Sequence, residues 1–191
     1  MNVYDFDNTL LRGDSSARFF AWCLRHRPGM WRDVPAQALN GLLFALGIRK
    51  KQAFKQRLFH FLTLVGDVDR AVEAFWEENF PRVKAWYPPL HRSDDVVISA
   101  SPEFLIRPAC ARLGIRHVIG SPVDKATGHF LGPNCHGEEK VSRFRARFPG
   151  ASIDDFYSDS HSDDPLARLA RRAFLVRGEK LLPWGKADRP E

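Results

Sequence analysis

The sequence predicts an α/β protein: a doubly wound parallel sheet carrying an inserted all-helical cap. Three observations carry this. Short apolar runs alternate with helix-like segments through the second half of the chain. A similar apolar run opens the chain. The long stretch between that first run and the others is almost wholly helical in pattern.

Taken in order, the strand-like runs are residues 2–5 (NVYD), 95–99 (DVVIS), 117–120 (HVIG), 153–158 (IDDFYS) and 173–177 (AFLVR). Between the later runs, residues 102–113 open on a proline suited to a first helical turn and stop at Gly114. Residues 138–148 put Val141, Phe144 and Phe148 on one helical face, and residues 163–172 read as a short basic helix. In the insertion, Ser15 or Ser16 is placed to cap a helix that runs to Pro28-Gly29. Phe54, Leu58, Phe61, Leu62 and Val65 repeat at helical spacing, as do Val68, Val72, Phe75 and Trp76 behind a capping Asp67. The return limb, Trp86-Tyr87-Pro88-Pro89, reads as a stiff hinge or linker. Residues 121–136, with Asp124-Lys125-Ala126-Thr127-Gly128, read as a hairpin insertion. The expected division is a core of residues 1–13 plus 89–191 and a helical cap of residues 14–88.

Bulk properties fit one soluble globular unit. The 191 residues are 44% apolar and 27% charged, enough for a real core. Disorder is confined by composition to the polar tail after Trp184. A net charge of +6 suits acidic partners such as phosphorylated metabolites or an anionic membrane surface. No basic–aromatic nucleic-acid motif is present, so nucleic acid is not an expected partner. Cys23, Cys110 and Cys135 form neither a zinc pattern nor a disulfide framework, which points to a reducing cytoplasm. No signal peptide is recognised at the start. The longest apolar stretch, residues 34–48, is interrupted by Gln37, Asn40 and Gly41 and falls short of the ~20 residues that span a bilayer.

The chemistry centres on Asp5-Phe6-Asp7-Asn8-Thr9. Carboxylates at i and i+2 project to one side of an extended chain. They stand at the C-terminal end of an apolar strand, where α/β folds place their sites. One can attack phosphorus, and the other can protonate the leaving oxygen and then activate water. The bland alternative is a polar strand end with Asp capping a turn. Val96-Val97-Ile98-Ser99 ends in a hydroxyl, and the small Ala100-Ser101-Pro102 that follows reads as a turn whose amides can approach a phosphate at a helix N-terminus. Lys140 can neutralise charge on nucleophile and phosphoryl group, or be an ordinary solvated lysine. Asp159 and Asp163, in an acidic, hydroxyl-rich loop, suit a hard cation or simply a helix N-terminus.

Together, in this order and at these strand ends, these segments resemble the four motifs of the haloacid dehalogenase (HAD) superfamily, over residues 2–177. Asp5 to Thr9 resembles the first motif, Ser99 the second, Lys140 the third, and Asp159 with Asp163 the fourth. The resemblance implies a HAD-like, Rossmann-like core whose sheet sets the first-motif strand between the fourth-motif and second-motif strands. It implies Asp5 as nucleophile, with Asp7, Ser99 and Lys140 completing the catalytic set. It also implies Mg²⁺ held by the Asp5 carboxylate, the Asp7 main-chain carbonyl and Asp159, supported by Asp163. Asn8, Asp14, Ala100 and Ser101 fall at substrate-contacting positions. Dehalogenases of the superfamily typically lack the second aspartate, so Asp7 favours a phosphatase; transfer to an acceptor other than water stays open.

The insertion resembles a type I cap, and the layout is similar to the phosphoserine phosphatase-like branch. Asp14 stands where that branch often has a Glu that reads the substrate amine, and Phe61 lies near its substrate-binding Arg. Both differences count against phosphoserine. The text of residues 157–166 and 135–140 is similar to a subgroup that includes a bacterial phosphatidylglycerophosphate phosphatase. Apolar residues 41–48 precede Arg49, Lys50, Lys51, Lys55 and Arg57, a pattern that can rest on an anionic membrane. The favoured expectation is that Leu42, Leu43, Phe44 and Leu46 pack inside the cap, and that the substrate is a small phosphomonoester. His136, His161 and Cys135 flank the expected site and are read as ordinary loop and packing residues.

Overall fold

The computed structural model describes residues 1–32, 34–47 and 59–185. Its elements run β1 (Val3–Tyr4), α1 (Ser15–His26), a 3-10 turn (Pro28–Arg32), α2 (Val34–Ala45), a second 3-10 turn (His60–Leu64) and α3 (Val68–Asn79). Then follow β2 (Val96–Pro102), α4 (Glu103–Arg112), β3 (His117–Ser121), α5 (Glu138–Arg147), β4 (Ile153–Ser158), α6 (Asp164–Ala167), β5 (Ala170–Arg177) and β6 (Lys180–Pro183). The sheet order is β3-β2-β1-β4-β5-β6. Every neighbouring pair is parallel except β5–β6. This is the doubly wound α/β architecture that the alternating pattern predicts.

β1 is short, and both its residues are fully buried. It is flanked by β2 and β4, so the chain leaves it in opposite directions for its two neighbours. That reversal opens a crevice at the C-terminal strand ends, and Asp5 is the first residue beyond β1. Buried clusters cover both faces of the sheet. Tyr4, Leu105, Ile106 and the insertion's Phe19, Phe61, Phe75 and Trp76 share one. Val3, Ile98, Phe144 and Phe156 share the other.

Several expectations need correction. Asp14, rather than a serine, caps α1: its carboxylate accepts the Ala17 N–H at 2.8 Å. Ser15 is drawn away into the site described below. The strand after the second motif does not turn at Ala100; β2 continues to Pro102 with a register shift between Ile98 and Pro102. The expected basic helix 163–172 stops at Ala167, because Ala170 and Arg172 pair with Ile153 and Asp155 of β4. The Arg172 guanidinium then grips the Asp155 carboxylate at 2.7 and 2.8 Å, a bidentate pairing that favours the strand. The antiparallel β6 has no counterpart in the sequence reading.

The return limb is tied to the sheet. Tyr87 is fully buried, packs edge-on against Tyr4 with ring centres 5.1 Å apart, and donates its hydroxyl to Asp95 at 3.0 Å. The hairpin insertion forms around a Val123–Phe130 bridge. At its tip Gly128 adopts φ +74°, and a Cβ there would lie 2.1 Å from the Phe59 carbonyl oxygen. Only glycine permits that close approach between hairpin and insertion.

Leu42 and Leu46, expected to be packed, are 55% and 62% exposed, as are Leu39 at 55% and Trp31 at 61%. Positions 39, 42 and 46 share one helical face, and α2 packs chiefly against the Pro28–Arg32 turn. The Phe44 side chain, Phe54, Leu58 and the basic residues from Arg49 to Arg57 lie outside the described residues. No helix among the described residues is long and apolar enough to cross a membrane.

Candidate active site

Asp5 sits at the bottom of the crevice and is almost fully buried. Its backbone N–H continues the β1–β4 ladder to the Tyr157 carbonyl at 2.9 Å, which fixes the carboxylate at the strand end. Lys140, on the buried face of α5, donates to Asp5 Oδ1 and to Asp163 Oδ2, both at 2.7 Å. One ammonium thus joins residues 135 positions apart. Ser158 Oγ also donates to Asp163 Oδ2 at 2.8 Å. Asp163 Oδ1 is buried without a hydrogen-bond partner. An unpaired carboxylate oxygen in that position is costly unless a cation or donor meets it.

Thr9 couples two of the motif loops. Its Oγ1 accepts the Asp159 N–H at 3.0 Å and lies 3.4 Å from Asp5 Oδ2. Asp7 is held separately. Its Oδ1 accepts the Ser15 N–H at 2.8 Å, and its Oδ2 accepts from the Ser101 hydroxyl. Ser101 in turn lies 3.1 Å from Ser15 Oγ.

Charge states follow from this packing. Burial pushes the Asp5 carboxyl up, against the pull of the Lys140 ammonium. Asp7 is pushed up to about 6 by burial and by the neighbouring Asp14 charge, with Ser101 and Ser15 pulling it back. Burial also raises Asp159. For Lys140, burial disfavours the ammonium, but Asp5 and Asp163 outweigh it and hold the charge well above the ordinary lysine range. The site therefore pairs a fixed cation with two carboxyls, Asp5 and Asp7, that burial lifts toward neutral pH.

The remaining expected residues divide. Ser99 is buried and accepts the Ser101 N–H at 3.2 Å. The Ala100 carbonyl accepts from Ser121 Oγ at 2.7 Å. Asn8 adopts φ +55°; its N–H is spent on the Gly13 carbonyl at 3.2 Å, and its carbonyl accepts from Lys84. Asp14 is spent in part on capping α1. Among the described residues, no three acidic, histidine or cysteine side chains converge as a ready metal cage. Two carboxylates, Asp5 and Asp163, do converge through Lys140. An oxygen-only donor set with one buried unpaired carboxylate oxygen fits a hard divalent cation.

Residues outside the sequence reading also shape the site. Lys84 is buried and reaches the first-motif loop; burial lowers its pKa. Nothing in Val83-Lys84-Ala85 marks it beforehand. Trp184 donates Nε1 to Asp164 Oδ1 at 2.9 Å and packs edge-on against His161, so it steadies the loop that carries Asp163. Cys135 is buried, with its thiol pushed up to about 11 by burial, as a packing residue should be.

Asp5, a buried carboxylate just beyond the central strand of the sheet, is thus clasped by a lysine from a distant helix. The sequence pattern of the haloacid dehalogenase-like hydrolases matches residues 3–168, and the chain belongs to that family. Protein CicA of Caulobacter vibrioides is 28% identical over 190 residues, covering 88% of this chain and 82% of CicA. A histidinol-phosphatase of Neisseria meningitidis serogroup C is 26% identical over 200 residues, covering 91% of this chain and 88% of that protein. A solved protein of unknown function from Bordetella pertussis Tohama I shares the fold with a TM-score of 0.72 at 19% identity, over 91% of this chain and 87% of that one. A phosphoserine phosphohydrolase-like protein from Francisella tularensis shares it at 0.57 and 15% identity, over 91% and 86%.

Proposed function

We propose that the protein is a Mg²⁺-dependent phosphatase that hydrolyses a small phosphomonoester through a phosphoaspartate on Asp5. The observation that carries this is the Asp5–Lys140–Asp163 chain of 2.7 Å contacts, with a second carboxyl, Asp7, poised near pKa 6. The Neisseria meningitidis relative bears a phosphatase name, which supports the same reaction class. The three free, buried thiols fit a cytoplasmic setting. In this reading residues 14–88 form the cap over a core of residues 1–13 and 89–191.

The residues then act as follows. An Asp5 carboxylate oxygen attacks phosphorus while the ester P–O bond breaks, and Asp7 gives its proton to the departing alkoxide. Asp7, now ionised, takes a proton from water, and that water displaces Asp5 to release phosphate. Lys140 offsets the charge on Asp5 and on the phosphoryl oxygens throughout. Ser99 and the main chain near Asn8, Ala100 and Ser101 line the phosphate position, and Asp14 faces the rest of the substrate. Mg²⁺ would be held by the Asp5 carboxylate, the Asp7 carbonyl, Asp159 and Asp163, and would neutralise charge as two anions meet.

The proton assignment is tested by Asp7→Asn. Loss of a general acid costs roughly 10²–10⁴-fold on an alkyl phosphate. On p-nitrophenyl phosphate, whose phenolate leaves without help, the first step should fall far less. An equal burst-phase loss on both substrates would contradict the role given to Asp7.

A second reading is favoured by one observation, the exposed stripe of Leu39, Leu42 and Leu46 beside Trp31. In sequence it runs into Arg49, Lys50, Lys51, Lys55 and Arg57. Apolar side chains next to cations suit an anionic bilayer surface, and the substrate would then be a phospholipid headgroup phosphate. Flotation with vesicles rich in anionic lipid tests it: the protein should float, and Leu42→Glu/Leu46→Glu should stay at the bottom. No flotation of the wild type at moderate salt removes this reading.

A further inference from the structure

A cavity of about 250 Å³ lies against α1 and the C-terminal end of α3, away from the Asp5 centre in the sense that it shares no lining residue with it. Arg18, Trp22 and Arg25 enter it from one face of α1, at i, i+4 and i+7 spacing. Glu78, Asn79 and Arg82 face them from the end of α3 and the turn beyond. Three guanidiniums against one carboxylate leave the lining strongly cationic.

Hydrogen bonding points the same way. Arg18 Nε and Trp22 Nε1 are buried donors without partners. Guanidinium and indole nitrogens donate and cannot accept, so they cannot satisfy one another. Glu78 is turned partly to His26, with Oε1 3.4 Å from its Nε2. Asn79 Nδ2 is engaged by the Phe75 carbonyl at 2.9 Å. Against these donors the lining offers one carboxylate, that of Glu78, itself turned partly to His26.

We propose that this cavity is a second anion site, taking a small oxyanion of the phosphate or carboxylate class. Arginine forks match the oxygen pairs of both groups. The site is wired to the first-motif loop. The Arg82 carbonyl accepts the Arg12 N–H at 3.0 Å, Val83 bridges Leu11, and Lys84 reaches Asn8. Gly13, at φ +100°, lies so close under Arg18 that a Cβ would come within 2.5 Å of Nε. An anion that reorients Arg18 therefore presses directly on the loop following Asp7. The anion is either free in solution or a second charged group on the substrate.

Calorimetric titration with citrate, and separately with inorganic phosphate counted beyond the one equivalent that the Asp5 centre takes as product, tests the site on wild type, Asp5→Asn and Arg25→Gln/Arg82→Gln. Wild type and Asp5→Asn should both bind. The double variant should bind roughly tenfold or more weakly, with an unchanged melting temperature when no anion is added. Glu78→Gln, which removes the opposing carboxylate, should bind more tightly. If the anion is part of the substrate, free anions bind weakly in all variants, and the double variant raises KM only for phosphomonoesters carrying a second anionic group. Turnover of p-nitrophenyl phosphate should be unaffected. Free-anion binding by the double variant equal to wild type, or no binding together with unchanged KM for doubly anionic substrates, overturns the proposal. The titration needs no turnover and stands whether or not the phosphatase reading does; the KM comparison rests on that reading.

Discussion

An Asp5→Asn variant is expected to fold as well as the parent and to lose phosphatase activity by roughly 10⁴-fold or more. The amide keeps the size of the carboxylate but cannot form an acyl phosphate. Folding is spared because Lys140 retains its contact with Asp163 at 2.7 Å, and because a carboxyl that burial pushes upward is replaced by a neutral group. Steady-state assay with an aryl phosphate and a thermal melt check both halves. Activity within tenfold of wild type would mean that another group attacks phosphorus.

Lys140→Met is expected to damage activity and stability together. Without the ammonium, Asp5 and Asp163 are left as two buried acids with no counter-charge; both side chains are at least nine-tenths buried. Removing one partner of a buried ionic group costs roughly 3–5 kcal/mol, which for a chain of this size is a melting-temperature drop of about 10 °C. The pH dependence has a definite sign. A carboxyl whose folded-state pKa lies above its unfolded value contributes stability that is full below the unfolded pKa and is lost as pH rises through the folded one. Removing Lys140 takes away a contribution that lowers Asp5, so Asp5 rises further. The deficit relative to wild type should therefore widen as pH rises from about 7 to about 9. A deficit that is equal at both ends would contradict the charge assignment. Phosphatase activity should fall by roughly 10²–10³-fold at all pH values where the variant is folded.

Much of the fold is legible in the sequence because buried parallel strands are apolar on both faces. Residues 96–98 and 118–119 announce themselves in this way, and Asp67 announces the start of α3. The boundaries that resist reading are those decided by distant partners. Residues 170–172 carry a helical pattern, yet the Asp155–Arg172 contact draws them into the sheet. The serines at 15 and 16 are good caps by type, but Asp14 takes the cap while Ser15 turns to Asp7. Leu42 and Leu46 read as core by composition alone; exposure depends on what faces them.

The candidate site is legible as a set of motif positions, not as geometry. Asp5 and Asp7 share one short segment, so their relation is visible in the chain itself. Lys140 and Asp163 come to Asp5 only because β4 pairs with β1, and Ser158 joins them through Asp163. Lys84 and Trp184 carry no local signal, because their importance lies in contacts across the sheet and along its edge. The acidic loop at residues 159–164 illustrates the difference. Its composition suggests a cation, while the structure adds that Asp163 Oδ1 is the buried oxygen left unpaired.

Covalent chemistry on Asp5 leaves a chemical mark that can be read out. The protein is mixed with an aryl phosphate and Mg²⁺, quenched during turnover, reduced with borohydride and digested for mass spectrometry. Borohydride converts an aspartyl phosphate to homoserine, so the account predicts homoserine at position 5 and unmodified aspartate at positions 7, 159 and 163. Rapid turnover with the label on a different residue, or with none on any carboxylate, would contradict it.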